Sequence, residues 1–146
     1  MQEVYLYGMI LVTNSFLLQE EYPQPDTYGE IKQKYRLSGG ETGTCATVLA
    51  HLGVQVKMDG NHMGKNTYPI IEDFYKNKSV DITSLYYDTE YEGLEDYVLI
   101  DKHTRTPFGS FQHYYSEPVK RWNKAKREDI VVAKVVGLDP FFVMKL

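Results

Sequence analysis

The residues best suited to binding a ligand are a glycine pair, Gly39 and Gly40, which follows Ser38. The segment 38–46 reads Ser-Gly-Gly-Glu-Thr-Gly-Thr-Cys-Ala, and apolar residues at helical spacing continue from it to Gly53. Glycines at a helix start let backbone N–H groups approach a ligand closely, and the helix dipole favours partial negative charge there. The pattern therefore allows a ligand to bind at this helix start. A turn that any helix start could use is the simpler alternative.

Residue types that often catalyse reactions or bind metals and phosphates do not indicate a second site. The single cysteine, Cys45, excludes an internal disulfide and predicts a reducing, cytoplasmic location. No phosphate-binding loop sequence is present. The histidines lack the spacing of metal ligands, so no metal site is predicted; they are His51, His62, His103 and His113.

Composition predicts a globular chain without nucleic-acid or membrane partners. Of its 146 residues, 42% are hydrophobic and 25% are charged, which is close to the average for globular domains. The net charge of −4 gives no basic footprint for nucleic acid. The uncharged stretch 4–18 is too short and too polar to span a membrane.

The hydrophobic pattern predicts buried strands alternating with helices. Buried strands are predicted over 4–12, 54–59 and 130–138, and half-exposed or strand-like segments over 28–37, 82–87, 96–101 and 108–115. Helices are predicted after Gly40, around 68–75 and over 122–129. Alternation of this kind is typical of a parallel sheet with right-handed crossovers, an α/β fold.

Tyrosines mark a second structural unit. The chain has thirteen, concentrated in 22–35 and 86–115. Tyrosine favours strands whose surface is partly covered while the hydroxyl stays in water. These segments interrupt the strand–helix alternation, so they predict a small separate sheet.

The segment from Ser38 to Ala46, with Gly53 after it, resembles the N-terminal signature of ribokinase-type (PfkB family) carbohydrate kinases. Val80-Asp81 and the turn that ends in Arg105-Thr106 resemble later features of the same family. The resemblance covers essentially the whole chain and implies a single partial ribokinase-like domain over 1–146. In it, a parallel sheet flanked by helices carries an inserted lid of strands at about 28–37 and 82–115.

The resemblance implies a sugar-binding wall that includes Gly39 and Gly40. The family commonly has an aspartate where this chain has Thr13, and an asparagine where it has Thr44. Because hydrogen-bonding sites discriminate strongly, these departures indicate a substrate other than an ordinary furanose. Asp139 falls where some members have an acidic sugar contact; alternatively, it caps the end of a strand.

The resemblance also implies a lid that covers the sugar and excludes water during phosphoryl transfer. Tyr97 lies on one tyrosine-rich lid strand and is predicted to contact the ligand, with ordinary packing as the alternative. Arg105 is predicted to contact substrate or a second subunit, or to be an exposed turn residue. In family members the lid often packs on a second subunit, so a homodimer is possible.

ATP and magnesium are expected for a full-length family member, but no residue of this chain is predicted to hold either one. The family's Gly-Ala-Gly-Asp segment, which carries the catalytic aspartate, has no counterpart here. The chain is therefore expected to be the substrate-binding half of an ATP-dependent kinase for a sugar or sugar acid, inactive at this length. The alternative is a non-catalytic module that binds a small polyol or dimerises.

Overall fold

The structure, a computed structural model, describes residues 3–110 and 121–139. The strands in those ranges are β1 Val4–Gly8, β2 Leu11–Leu18, β3 Ile31–Gly39, β4 Val56–Gly60, β5 Val80–Asp81, β6 Glu95–Ile100, β7 Arg105–Gly109 and β8 Val135–Leu138. The helices there are α1 Gly40–His51, α2 Tyr68–Tyr75 and α3 Arg127–Val132. None of these helices has the length and hydrophobicity needed to cross a membrane.

The main sheet is parallel throughout, with strand order β5-β4-β1-β8. Its central strand β1 is buried at every position, as expected for a strand covered on both faces. The predicted parallel sheet is therefore confirmed. Its largest core cluster joins this sheet to α1 and α2, and contains Val4, Leu6, Ile10, Val12, Ala46, Val56, Met58, Met63, Ile71, Tyr75 and Leu85.

A second, smaller sheet has the order β3-β2-β6-β7. Strands β2 and β6 pair in parallel, and the two outer pairings are antiparallel. Both faces carry partly exposed apolar side chains, among them Tyr35, Leu37, Tyr97 and Phe108. The prediction of a small separate sheet is confirmed.

The prediction of one strand over 4–12 is wrong, because the chain leaves the main sheet at Met9 and Ile10 and enters the second sheet. The Asn61 side chain fixes this crossing. Its Oδ1 accepts a hydrogen bond from Ile10 N at 2.7 Å, and its Nδ2 donates to Ile10 O at 2.9 Å. An apolar run shows that a segment is buried, but not that it changes sheets.

Predictions for the later segments are only partly correct. The helix predicted over 122–129 lies at Arg127–Val132, and the strand predicted over 130–138 shortens to Val135–Leu138. Acidic residues in the first turn of α3 favour the helix, and one of them, Asp129, pairs with Lys57 at 2.9 Å. The segment 82–87 forms no strand beyond a single bridge at Tyr87. The predicted strand 108–115 extends outside the described residues.

Candidate functional site

A cleft of about 640 Å³ lies where the start of α1 meets the crossing between the two sheets and strand β6. The residues around it include apolar, acidic and hydroxyl-bearing ones. They are Met9, Leu11, Gly40, Glu41, Thr44, Cys45, Val48 and Asp96. The cleft is therefore built from three elements that are far apart in the sequence.

The glycine pair allows α1 to start directly against the crossing. Gly40 has a φ of +76°, and a Cβ there would lie 2.4 Å from Met9 O. The neighbouring Thr42 N donates to the same carbonyl at 3.2 Å. A Cβ on Gly39 would lie 2.0 Å from Thr13 Oγ1. Glycine is thus required at both positions for this close approach.

A buried tyrosine fixes the same turn from behind. Tyr75 Oη, on α2, lies 2.8 Å from Ser38 Oγ, 2.9 Å from Gly43 O and 3.1 Å from Thr47 Oγ1. Burial raises the pKa of Tyr75, so its hydroxyl stays protonated and available as a donor. The helix start is therefore held by hydrogen bonds on the side away from the cleft.

The polar groups around the cleft are acidic. Burial raises the pKa of Asp96, and the hydrogen bond from Thr13 only partly opposes this effect. Burial also raises the pKa of Glu41, and the hydrogen-bonded Asp139 carboxylate nearby raises it further. Asp139 itself is buried, and its Oδ2 accepts a hydrogen bond from Met9 N at 3.2 Å.

Five of the predicted site residues come together here. Gly40 and Thr44 line the cleft, and Gly39 and Thr13 contact each other beside it. Asp139 follows β8 and bonds to the crossing, next to Glu41. Their assignment as sugar contacts stays a prediction, since no ligand is present.

Tyr97 and Arg105 lie outside this group. Successive side chains of a strand face opposite sides of the sheet, so Tyr97 faces away from the side that carries Asp96. Its ring stacks on Phe16, with ring centroids 6.5 Å apart. Arg105 pairs with Ile100, four residues beyond Asp96 along β6, which is about 13 Å away at the usual strand rise.

Sequence reasoning missed Glu41, Asp96 and Asn61. Aspartate is unfavourable in strands, so Asp96 within a predicted strand was a usable signal. Nothing local indicates that it would pair with Thr13, because that contact depends on the register of two distant strands. The sequence gives Asn61 no signal beyond its position after Gly60. It gives Glu41 no signal beyond an acidic residue in the first turn of a helix.

The described residues contain no cluster of side chains typical of a metal site. Within 3–110 and 121–139, no group of three His, Cys, Asp or Glu side chains is placed to hold a metal ion. A second cleft of about 530 Å³ lies along α2 and the segment after it, and contains none of the predicted site residues.

No protein-family model matches the sequence, and no curated protein matches it. Solved structures do match it. Against the Methanocaldococcus jannaschii nucleoside kinase, described as an archaeal member of the ribokinase family, the TM-score is 0.69 at 23% identity, over 99% of this chain and 48% of the other. Against the fructokinase of Halothermothrix orenii the TM-score is 0.67 at 18% identity, over 93% and 45%.

A microbiome-derived acarbose kinase gives a TM-score of 0.72 at 16% identity, over 94% of this chain and 46% of the other. The chain thus spans less than half the length of each of these three structures. At these identities the likeness establishes the fold, and the resemblance read from the glycine-paired segment agrees with it. The chain therefore has a partial ribokinase-like fold, the fold of ribokinase-family carbohydrate kinases.

Proposed function

We propose that this chain provides the sugar-binding wall of an ATP-dependent carbohydrate kinase, with a sugar or sugar acid as the ligand. The single observation that carries the proposal is the cleft in which Gly40 and Thr44 of α1 meet Asp96 of β6. The ribokinase-like fold of the chain supports it.

The position of the cleft supports ligand binding. Met9, Asn61 and Asp139 directly follow the parallel strands β1, β4 and β8. In open α/β sheets, ligands bind outside the carboxyl ends of the strands. Asn61 and Asp139 hold the crossing by hydrogen bonds, and Met9 of the crossing lines the cleft. The cleft therefore lies at the edge of the sheet where a ligand is expected.

The chemistry of the residues that line the cleft suits hydroxyl groups. A sugar hydroxyl donates one hydrogen bond and accepts others. Carboxylates such as Asp96 accept, the Thr44 hydroxyl does either, and backbone N–H groups at a helix start donate. The apolar residues Met9 and Leu11 can cover the carbon face of a sugar ring.

The proposal is limited to binding. The matched kinases are more than twice as long as this chain, and within 3–110 and 121–139 no group of three His, Cys, Asp or Glu side chains is placed to hold a metal ion. Phosphoryl transfer needs positioned phosphates, metal and base together. We therefore propose no transfer activity for the 146-residue chain, and a stand-alone polyol-binding module remains the second candidate.

The lone Cys45 supports a reducing, cytoplasmic location.

A titration with a matched pair of variants tests the proposal. The 146-residue chain is titrated calorimetrically with D-ribose, D-fructose, D-glucose and D-gluconate. Thr44→Val removes one hydroxyl from the cleft at nearly constant shape. Thr89→Val removes an exposed hydroxyl elsewhere. Losing one neutral hydrogen bond should weaken binding about 2- to 10-fold in Thr44→Val and leave Thr89→Val unchanged. Absence of binding to every compound would refute the proposal.

The homodimer is part of the same proposal. Tyr97 and Phe108, cross-strand neighbours on the face of the second sheet away from Asp96, are 45% and 47% exposed. Exposed apolar side chains grouped on one sheet are typical of protein interfaces. Sedimentation velocity at micromolar concentration should show a dimer, and a monomer across that range would contradict this assignment.

A further inference from the structure

The carboxylate of Asp96 is poorly satisfied by the protein itself. Its Oδ1 is buried and has no hydrogen-bond partner within the described ranges. The residue lies second in β6, paired in register with Thr13 of β2, so both side chains are on the same face of the sheet. That is the face that borders the cleft, because Asp96 is one of its lining residues.

A buried acceptor without a donor costs free energy until a donor reaches it. Asp96 is only partly buried and lines the cleft, so the donor that can reach its carboxylate is one that enters from the cleft. A ligand hydroxyl is the donor type that matches one remaining carboxylate oxygen.

The charge around the cleft restricts the ligand further. Glu41 and Asp96 line it, and a third carboxylate, that of Asp139, lies beside Glu41. None of the residues that border the cleft in the described part of the chain is lysine, arginine or histidine. A ligand carboxylate or phosphate placed here would face like charges without a compensating cation.

We propose that Asp96 is the hydroxyl-binding carboxylate of this cleft and that it makes the cleft select neutral polyols over sugar acids. The inference rests on the proposed sugar-binding function and narrows its substrate class. Asp96 acts as a specificity-determining residue: it accepts from one sugar hydroxyl and repels an anionic group at the same position.

Matched ligands and variants test this proposal. The chain is titrated with D-glucose and D-gluconate, and with D-ribose and D-ribonate, which pair each neutral sugar with its acid. Asp96→Asn neutralises the side chain at constant shape. Asp73→Asn makes the same change at an exposed site on α2, outside this cleft.

The wild type and Asp73→Asn should bind the neutral member of each pair at least 10-fold more tightly than the acid. In Asp96→Asn, binding of the neutral sugar should weaken about 10- to 100-fold, because a charge-assisted hydrogen bond is lost. In the same variant, the affinities for the neutral sugar and for its acid should differ by no more than a few fold.

A second measurement needs no ligand. Because Oδ1 of the partly buried Asp96 is enclosed without a hydrogen-bond partner in the described ranges, the urea midpoint of ligand-free Asp96→Asn should rise relative to the wild type, whereas Asp73→Asn should not change it. A lowered midpoint would mean that the carboxylate serves the fold and would overturn the proposal. Sugar binding with an unchanged neutral-to-acid preference in Asp96→Asn refutes this inference alone. No binding of any compound by the wild type refutes the proposed function as well.

Discussion

Replacing Gly40 by alanine tests how closely the start of α1 packs on the crossing between the two sheets. Two separate effects lower the free energy of unfolding of this variant. A non-glycine residue at a φ of +76° costs about 1–2 kcal/mol. In addition, the new Cβ would lie 2.4 Å from Met9 O and 3.0 Å from Met9 C, which must then move apart. That displacement also disturbs the hydrogen bond from Thr42 N, so it should cost about a further 1–3 kcal/mol.

Gly53 provides a control that separates the two costs. Its φ is +79°, almost the same as that of Gly40, but nothing lies within 4 Å of the position its Cβ would take. Gly53→Ala therefore carries the backbone strain alone. Both variants also restrict the unfolded chain in the same way, so that contribution cancels in the comparison.

Urea denaturation followed by far-ultraviolet circular dichroism measures both variants. For a slope of about 2 kcal/mol per molar urea, Gly40→Ala should unfold at a midpoint about 0.5–1.5 M below that of Gly53→Ala. If the two midpoints coincide, the start of α1 does not pack on Met9 as described, and the argument that the glycine pair builds the cleft fails with it.

Two further predictions concern other hydrogen bonds. Tyr75→Phe should destabilise the chain by about 1–2 kcal/mol, because Ser38 Oγ and Gly43 O lose a buried partner, while the same change at exposed Tyr22 should have little effect in urea denaturation. Three backbone N–H groups lower the pKa of Asp101 to about 2, so its stabilising contribution is complete above the ordinary aspartate pKa and disappears as the pH falls through about 4 towards 2. Wild type should therefore melt at a higher temperature than Asp101→Asn at pH 6, with the difference shrinking below pH 4 and vanishing below pH 2; a constant difference would contradict that assignment.

Local pattern predicted the elements better than their boundaries. The small residues after Gly40 and the spacing of apolar residues up to Gly53 were sufficient to predict α1, because helix signals are local. By contrast, Val4–Val12 reads as one apolar strand, yet it divides between two sheets. The division depends on hydrogen bonds that Ile10 N and Met9 N donate to the side chains of Asn61 and Asp139, which are 51 and 130 residues away along the chain. No window on the sequence contains those contacts.

The candidate site shows the same limit. A helix-start motif predicted Gly39, Gly40 and Thr44, which lie within six residues of one another. Asp96 reaches the same cleft only because β6 pairs in parallel with β2 at the register that sets it opposite Thr13. Register depends on which faces are buried and on the connections between strands, and these become known only once the sheet is assembled. A residue contributed in this way is visible in the sequence only as an aspartate that follows Glu95 at the start of a strand whose remaining residues are apolar or aromatic.

The structure also determines which variants can report on binding. Met9 and Leu11 line the cleft and, with Leu94, form one of the two core clusters among the described residues. The glycine pair packs on the same crossing, so changing Gly39 or Gly40 alters stability and the cleft together. Thr44 is exposed at the cleft and outside both of these core clusters, and the free oxygen of Asp96 has no partner to lose in the described fold. Substitutions at Thr44 and Asp96 therefore test ligand recognition, whereas substitutions at the glycines test the architecture that recognition requires.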